Sequence, residues 1–196
     1  MAMPENTFSD PPVPAAFLAP DDRVRLNLLI DYELGGIALG DPSQGLQVQV
    51  WECRVAAGMI QVSVEGAGAW TDVISDTDIT EVSLAFDQNM RPTVSFVAGG
   101  VAKLYWYDAD ISAFTTSVLV GATSPVVMMD DKREMEIGLN DILLFYIAEG
   151  RVMHRLQRDR FLIEYNLAAL PAGSTRIQRA GMSVANRIQV EFDTFL

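Results

Sequence analysis

The sequence predicts an all-β protein, an antiparallel meander of propeller-like blades with two clear blades and one degenerate blade. Three observations support this fold class. Apolar and polar residues alternate with a period of two over most of the chain, turn signals recur every 8–12 residues, and two long stretches of the second half resemble each other. A β-sandwich is the alternative architecture. No segment has convincing helical periodicity, because the best candidate, residues 166–172, is interrupted by Pro171.

The internal repeat consists of residues 84–118 and residues 127–167. Each stretch runs through an acidic turn, a strand, a glycine turn, a second strand, an aspartate turn and a strand that ends near an aromatic residue. Three pairs of positions align at an offset of 50 or 51, namely Gly100 with Gly150, Trp106 with Gln157, and Phe114 with Tyr165. A period of roughly 40–50 residues built from short antiparallel strands is typical of β-propeller blades. Residues 23–80 are then the degenerate third blade.

The N-terminal segment, residues 1–20, contains five of the nine prolines. Proline restricts φ and removes a backbone donor, so this segment is predicted to be an extended arm that joins no central strand. Phe8, Phe17 and Leu18 supply apolar anchors within it. Two interpretations stay open, a free tail and an arm that docks on a neighbouring subunit. Residues 21–196 are predicted to form a single all-β domain.

Strand predictions follow from the alternation. Residues 23–32 alternate clearly, residues 35–45 are predicted to form a loop because of their glycines and Pro42, and the segments around 46–51 and 60–64 form a hairpin across Gly58. The remaining predicted strands are 79–86, 92–98, 101–107, 113–120, 125–129, 142–148, 151–157, 161–167, 174–180 and 186–192.

Composition and charge exclude several classes of protein. The single cysteine, Cys53, cannot form an intrachain disulfide, and the longest apolar run, residues 142–148, is much shorter than a membrane helix. No secretory signal is expected. The net charge of −12 argues against nonspecific binding to nucleic acid, whose phosphates it repels. Charge is also uneven, because residues 1–100 carry a net −10 while residues 151–190 carry a net +5.

Candidate catalytic and metal-binding residues are few. His154 is the only histidine, so a zinc site with two histidine ligands cannot form. Its alternation with Val152 and Leu156 places it on their face of a strand and predicts a packed or interfacial histidine. The acidic residues between Asp72 and Glu81 are expected to form a solvated turn, because their spacing differs from that of a calcium loop. We therefore expect no cofactor and no metal.

The most distinctive polar cluster contains Arg155, Arg158 and Arg160, which flank Asp159 between two strands. Arginine is suited to bidentate pairing with carboxylates. One interpretation is a turn held by Arg–Asp pairs within the chain. The other is a subunit interface, in which these arginines meet acidic residues of a neighbouring copy. The acidic candidates for that interface are Asp72, Asp76 and Asp78.

A resemblance to a known class of proteins covers residues 84–192. The segments that carry it are DDKREMEIGLNDILLFYIAEGRVMHRLQRDRFLIEYNL and RIQRAGMSVANRIQVEF. They are similar to small β-rich virion proteins encoded among the tail and neck genes of tailed bacteriophages. The resemblance implies a subunit repeated in a ring around a tail channel, and no functional residue can be transferred from it.

The expected function is therefore a non-enzymatic, oligomeric structural protein of a phage tail or neck. It would be made in the bacterial host cytoplasm and located in the virion, with copies of itself and other virion proteins as partners and no membrane. It would bind no specific nucleic acid, although a negative wall suits a DNA channel. An alternative is a carbohydrate- or receptor-binding module at a tail tip, and a carboxylate-based glycan hydrolase is a third option. The stacking candidates for the module are Trp51, Trp70, Trp106 and Tyr105. Most of these four are expected instead to lie in the hydrophobic core.

Overall fold

A computed structural model describes residues 33–39, 48–64, 67–87, 91–129, 141–182 and 188–194. The all-β prediction is confirmed, because these residues form strands joined by turns and a single 3₁₀ turn. The strands are β1 (Glu33–Leu39), β2 (Val48–Ala56), β3 (Met59–Val64), β4 (Thr71–Ser75), β5 (Ile79–Phe86), β6 (Pro92–Ala98), β7 (Val101–Asp108), β8 (Ala113–Val118), β9 (Thr123–Met129), β10 (Ile142–Ala148), β11 (Arg151–Leu156), β12 (Tyr165–Ala169), β13 (Ser174–Met182) and β14 (Ile188–Thr194).

The strands form four antiparallel sheets, and every strand pairs with the strand before or after it in the chain. Sheet 1 contains β1 to β4, sheet 2 contains β5 to β8, and sheet 3 contains β9 to β12. The remaining strands, β13 and β14, form a two-stranded hairpin. Sheets 1, 2 and 3 are thus three successive four-stranded meanders, and their identity as propeller blades stays a prediction.

The turn between the second and third strands is the same in all three sheets. It consists of Ala57 and Gly58 in sheet 1, Gly99 and Gly100 in sheet 2, and Glu149 and Gly150 in sheet 3, each residue with φ between 51° and 76°. Positive φ at both central residues defines a type I′ turn, whose twist matches that of the flanking strands. The alignment of Gly100 with Gly150 is therefore confirmed, and Gly58 is the third member of the repeat.

The predicted offset of 51 is wrong for the other two aligned pairs. Counting from the turn glycines, Trp106 corresponds to Leu156 and not to Gln157, and both of these side chains are buried. Phe114 and Tyr165 do not occupy equivalent positions either. The third and fourth strands are joined by four residues in sheet 2 and by eight residues in sheet 3, so the repeat loses its register at this connection.

The sheets stack face to face in chain order. Ile60 and Phe96 belong to the apolar cluster between sheets 1 and 2, Leu104 and Leu144 to the cluster between sheets 2 and 3, and Phe145 and Ile177 to the cluster between sheet 3 and the hairpin. The first strands of successive sheets are also in contact, β1 with β5, β5 with β9, and β9 with β13. Four sheets exceed the two of the β-sandwich alternative, and their arrangement about a propeller axis stays a prediction.

Two buried serines join sheets 2 and 3 by hydrogen bonds. The Ser95 hydroxyl donates to the Pro125 carbonyl at 2.8 Å, and the Val127 amide donates to the Ser83 hydroxyl oxygen at 3.1 Å. Both serines are buried. Buried polar groups are stable when they are paired, so these bonds also fix how β9 lies across sheet 2.

Three local predictions differ from the structure. Residues 35–39 belong to β1 although a loop was predicted, because pairing with β2 accommodates Gly35 and Gly36 in the ladder. Asp72 lies in strand β4 and not in the predicted acidic turn. β4 is an edge strand with exposed residues on both faces, so its sequence shows no alternation of apolar and polar residues. Residues 161–164 precede β12 and are not a strand. The arm at 1–20, with Phe8, Phe17 and Leu18, and the predicted strand at 23–32 lie outside the described residues.

Candidate functional site

The arginine-rich segment forms a corner between β11 and β12, residues 157–164. It begins as a 3₁₀ turn, Gln157–Asp159, and continues through Arg160 and Phe161, whose φ angles are 55° and 54°. The Phe161 amide donates to the Leu156 carbonyl at 2.9 Å and closes the corner. Positive φ is unfavourable for residues with a Cβ atom and is retained where surrounding contacts enforce it. The corner is therefore a constrained structure.

Arg160 connects the corner to sheet 2. Its guanidinium donates to Asp108 at 2.5 Å and contacts Asp110 at 3.0 Å, and both acids lie where β7 turns into β8. The Asp108 side chain is only 5% exposed, and a buried carboxylate of this kind is stable when it is paired with a cation. The Asp110 amide also donates to Asp108, at 3.0 Å. This ion pair fastens the outer part of sheet 3 to the outer part of sheet 2.

Phe161 reinforces the same connection with apolar packing. Its ring contacts Trp106 of β7 edge to face, with ring centroids 5.1 Å apart, and both side chains are buried. This geometry is favourable for aromatic pairs. The corner thus places an aromatic ring inside the core between sheets 2 and 3, next to the Arg160–Asp108 ion pair.

Arg155 holds the opposite side of the corner. It donates to the Tyr146 hydroxyl at 2.8 Å, to the Phe161 carbonyl at 3.1 Å and to Glu164 at 3.0 Å. Tyr146 in turn donates to Glu164. Burial, followed by this bond to Glu164, raises the pKa of Tyr146 to about 12, and hydrogen bonds from Tyr146 and Arg155 lower the pKa of Glu164. Three side chains and the Phe161 carbonyl therefore form one network behind the corner.

Arg158 is the most exposed of the three arginines. Its backbone amide donates to Asp141 at 3.0 Å and its guanidinium lies 3.3 Å from the same carboxylate, yet the side chain is 63% exposed. All three arginines thus have acidic partners within their own chain, which agrees with the intrachain interpretation of the cluster. Their pairing with a neighbouring copy stays a prediction, and Arg158 has the greatest surface to offer.

The three acids predicted to face the arginines lie elsewhere. Asp72 accepts from Gln61 at 2.6 Å, and Asp76 forms an ion pair with Lys103 at 2.5 Å. The hydrogen bond from Lys103, with a further one from the Thr77 amide, lowers the pKa of Asp76. Asp78 is exposed in the turn before β5.

One chain does not bring these acids to the corner. The Gly99 amide, just before β7, bonds to the Asp78 carbonyl, whereas Arg160 pairs with Asp108 at the far end of β7. Asp78 and Arg160 therefore lie beside opposite ends of β7. Contact between them requires two copies of the protein.

Large aliphatic side chains are exposed on both sides of the Arg160 ion pair. Leu162 and Ile163 of the corner are 74% and 50% exposed, and Ile111 of the β7–β8 turn is 59% exposed. The sequence does not predict this surface, which we call the aliphatic corner, because its pattern predicts a strand over residues 161–167. The sequence signal was the apolar pair that directly follows Phe161.

The predicted stacking residues have different environments. Trp106 is buried in the core, Trp51 contacts Phe86, and Trp70 lies under the Arg54 guanidinium at 4.0 Å. Tyr105 is instead part of an aromatic cluster on one face of sheet 2. The cluster contains Tyr105, Phe114 and Tyr107, with centroid distances of 5.0 and 5.2 Å, and Arg91 over Tyr107.

His154 is packed, as predicted. Its ring lies between Phe145 and Tyr165, at centroid distances of 5.9 and 5.1 Å, and burial lowers its pKa. In the part of the chain that the structure describes, no group of histidine, cysteine and acidic residues is arranged to hold a metal ion.

Comparisons with known proteins give no relatives. No protein-family model, no curated protein and no solved structure matches the chain. Among the described residues, no helix is long and apolar enough to cross a membrane.

Proposed function

We propose that this protein is a non-enzymatic structural component of a tailed-bacteriophage virion, which assembles with copies of itself and with other virion proteins in the tail or neck. The resemblance of residues 84–192 to small tail and neck proteins supports the virion assignment. The aliphatic corner supports the assembly role and is the observation on which that role rests.

The aliphatic corner has the properties of a contact surface. Leu162 and Ile163 follow Phe161, which is anchored against Trp106, and Arg160, which is anchored to Asp108. Their backbone is therefore held in place before any partner arrives, and preorganisation reduces the entropy lost on binding. Clustered exposed apolar side chains usually mark interaction sites. A surface that is rigid and apolar fits a permanent contact between subunits.

Charge supports the choice of a protein partner. Arg158 lies beside the aliphatic corner with 63% of its side chain exposed, in a chain of net charge −12. An acidic surface of a second copy is a complementary partner for it. Exposed ion pairs contribute only about 0–1 kcal/mol each, so the apolar contact provides affinity and the charges select the register.

The experiment compares the native mass of the wild type with that of Leu162→Glu. We expect the wild type to form a defined oligomer and Leu162→Glu to shift toward monomer while its circular dichroism spectrum is unchanged. Thr175→Glu is the matched control, because Thr175 is exposed on β13, away from the corner. A monomeric wild type at all concentrations, or an unchanged Leu162→Glu oligomer, would contradict the assembly role. Density for this chain in an intact particle tests the virion assignment.

A second candidate function is carbohydrate or receptor binding at a tail tip. The aromatic cluster favours it, because Phe114 is exposed and stacks on Tyr105. Exposed aromatic faces are suited to apolar sugar faces. A glycan array would show binding that Phe114→Ala abolishes and Ile111→Ala preserves. A wild type that binds no glycan on the array excludes this candidate.

A further inference from the structure

Strand β8 forms an open outer edge of sheet 2. It pairs with β7 on one side, and no other strand among the described residues pairs with it. Its sequence, AFTTSV, contains no charged residue, proline or glycine. Phe114 and Val118 are 42% and 55% exposed. An edge of this kind presents unpaired backbone donors and acceptors to another strand.

The alternation of hydrogen-bonded pairs between β7 and β8 shows which backbone groups of β8 face outward. The Leu119 amide donates to the Ala102 carbonyl at 2.9 Å, so this opposed pair is of the hydrogen-bonded kind. Hydrogen-bonded and non-hydrogen-bonded pairs alternate along an antiparallel ladder. Residues 113, 115 and 117 therefore bond to β7. Phe114, Thr116 and Val118 direct their amides and carbonyls away from the sheet.

The last strands of the other sheets, β4, β12 and β14, are protected against pairing with a copy of themselves. β4 carries Asp72, and β14 carries Glu191 and Asp193. Like charges on facing strands are destabilising, and edge charges are a common means of preventing such pairing. β12 is uncharged, but its pairing with β11 is interrupted by a bulge at Val152 and Met153, which increases its twist. β8 has neither protection.

We propose that β8 pairs in antiparallel orientation with β8 of a second copy, about a two-fold axis through Thr116. The outward backbone groups then form three hydrogen-bonded pairs, Thr116 with Thr116, Phe114 with Val118, and Val118 with Phe114. Aromatic with β-branched and threonine with threonine are favourable cross-strand pairs. Two chains of net charge −12 repel each other, so an uncharged strand is the suitable place for them to meet. The inference rests on the proposed self-assembly and specifies one of its contacts.

Thr116→Pro tests the backbone pairing. Proline removes the outward amide of residue 116 and leaves the bonds to β7 in place, because those use residues 115 and 117. We expect the dissociation constant of the two-fold contact to rise at least about tenfold, because the two central hydrogen bonds are lost. Thr116→Lys, which sets like charges on the axis, should have the same effect. Thr115→Pro is the contrasting variant, since it removes an inward bond and should lower the melting temperature of the monomer.

Thr116→Cys tests the register directly. Paired residues on the axis have Cα atoms about 5.5 Å apart, which suits a disulfide. We expect rapid oxidation to a covalent dimer, whereas Thr71→Cys on outer strand β4 should not cross-link. Cys53 is buried and provides a low background.

Two results would overturn the proposal. One is a Thr116→Cys protein that does not cross-link although its β8 amides are protected from hydrogen exchange, because another segment then covers the edge. The other is an unchanged oligomer in both Thr116→Pro and Thr116→Lys. If Leu162→Glu still dissociates the oligomer in that case, the proposed function stands and the β8 contact alone fails.

Discussion

The guanidinium of Arg160 lies 2.5 Å from the carboxylate of Asp108, and this contact joins two neighbouring sheets through residues that are 52 positions apart in the chain. Asp108 is almost completely shielded from water. The contact therefore serves both partners, because it neutralises a buried charge and fixes the corner that carries Leu162 and Ile163. The stability of the fold and the shape of its apolar surface depend on the same pair.

Loss of that pair should weaken the whole molecule. We expect Arg160→Ala to lower the melting temperature clearly, because Asp108 is left buried without its cationic partner. Arg151→Ala is the control, since Arg151 is exposed at the start of β11. Asp108→Asn should reduce the effect of Arg160→Ala, and additive effects in this double-mutant cycle would show that the pair is not coupled.

Alanine substitutions at Phe161 and Leu162, two neighbouring residues of the corner, should differ sharply in their effect on the stability of the monomer. Phe161→Ala removes a buried ring that packs on Trp106, and we expect the free energy of unfolding to fall by about 3–5 kcal/mol. Leu162→Ala should change it by less than about 0.5 kcal/mol, because that side chain is mostly in water. Denaturant titrations at a concentration where the protein is monomeric measure both. Equal losses would contradict the placement of the two side chains.

Acid should destabilise the protein through His154. Burial lowers the pKa of His154 in the folded state, so the unfolded state binds the proton more readily. Its contribution to stability is complete above the ordinary histidine pKa of about 6.5 and is lost as the pH falls below that value. Unfolding titrations of the wild type and His154→Phe between pH 7 and 5 test this. The difference in free energy of unfolding between the two proteins should change with pH. A constant difference would exclude a contribution from His154 protonation.

Alkaline conditions should destabilise the protein through ionisation of Tyr146. Its pKa is raised to about 12 by burial, above the ordinary value of about 10. The neutral form is favoured in the folded state, so the stability contribution is complete below pH 10 and is lost as the pH rises toward 12. Tyr146→Phe should be less stable at neutral pH, because Arg155 and Glu164 lose a hydrogen-bond partner. The difference in free energy of unfolding between Tyr146→Phe and the wild type should shrink above pH 10. A difference that stays constant with pH would contradict the raised pKa of Tyr146.

The strands that the sequence predicted best are buried over most of their length and are bounded by clear turn signals. The predicted spans 79–86, 92–98 and 142–148 coincide with β5, β6 and β10. β4 was missed because it is an outer strand with exposed residues on both faces, so no alternation marks it. Residues 35–39 were assigned to a loop because glycine disfavours strands, and pairing with β2 outweighs that preference.

The site was predicted in part. The arginine cluster at 155–160 was recognised because its density of charge between two strands is unusual, and an intrachain Arg–Asp turn was one of its two interpretations. The acidic partners of these arginines were not predicted, because Arg160 and Asp108 are 52 positions apart and no local pattern links them. The exposure of Leu162 and Ile163 also depends on the positive φ of Phe161, which the sequence does not indicate.

The sequential pairing of strands has a consequence for how the protein is made. Each sheet contains only contacts between adjacent segments, so it can form as soon as its own residues leave the ribosome, without waiting for distant ones. A nascent chain that has emerged up to Val118 already contains sheets 1 and 2 and the apolar cluster between them. The face that bears Trp106 stays uncovered at that stage. That face is closed only when Phe161 arrives, so the corner is the last connection between sheets 2 and 3 to be made during synthesis.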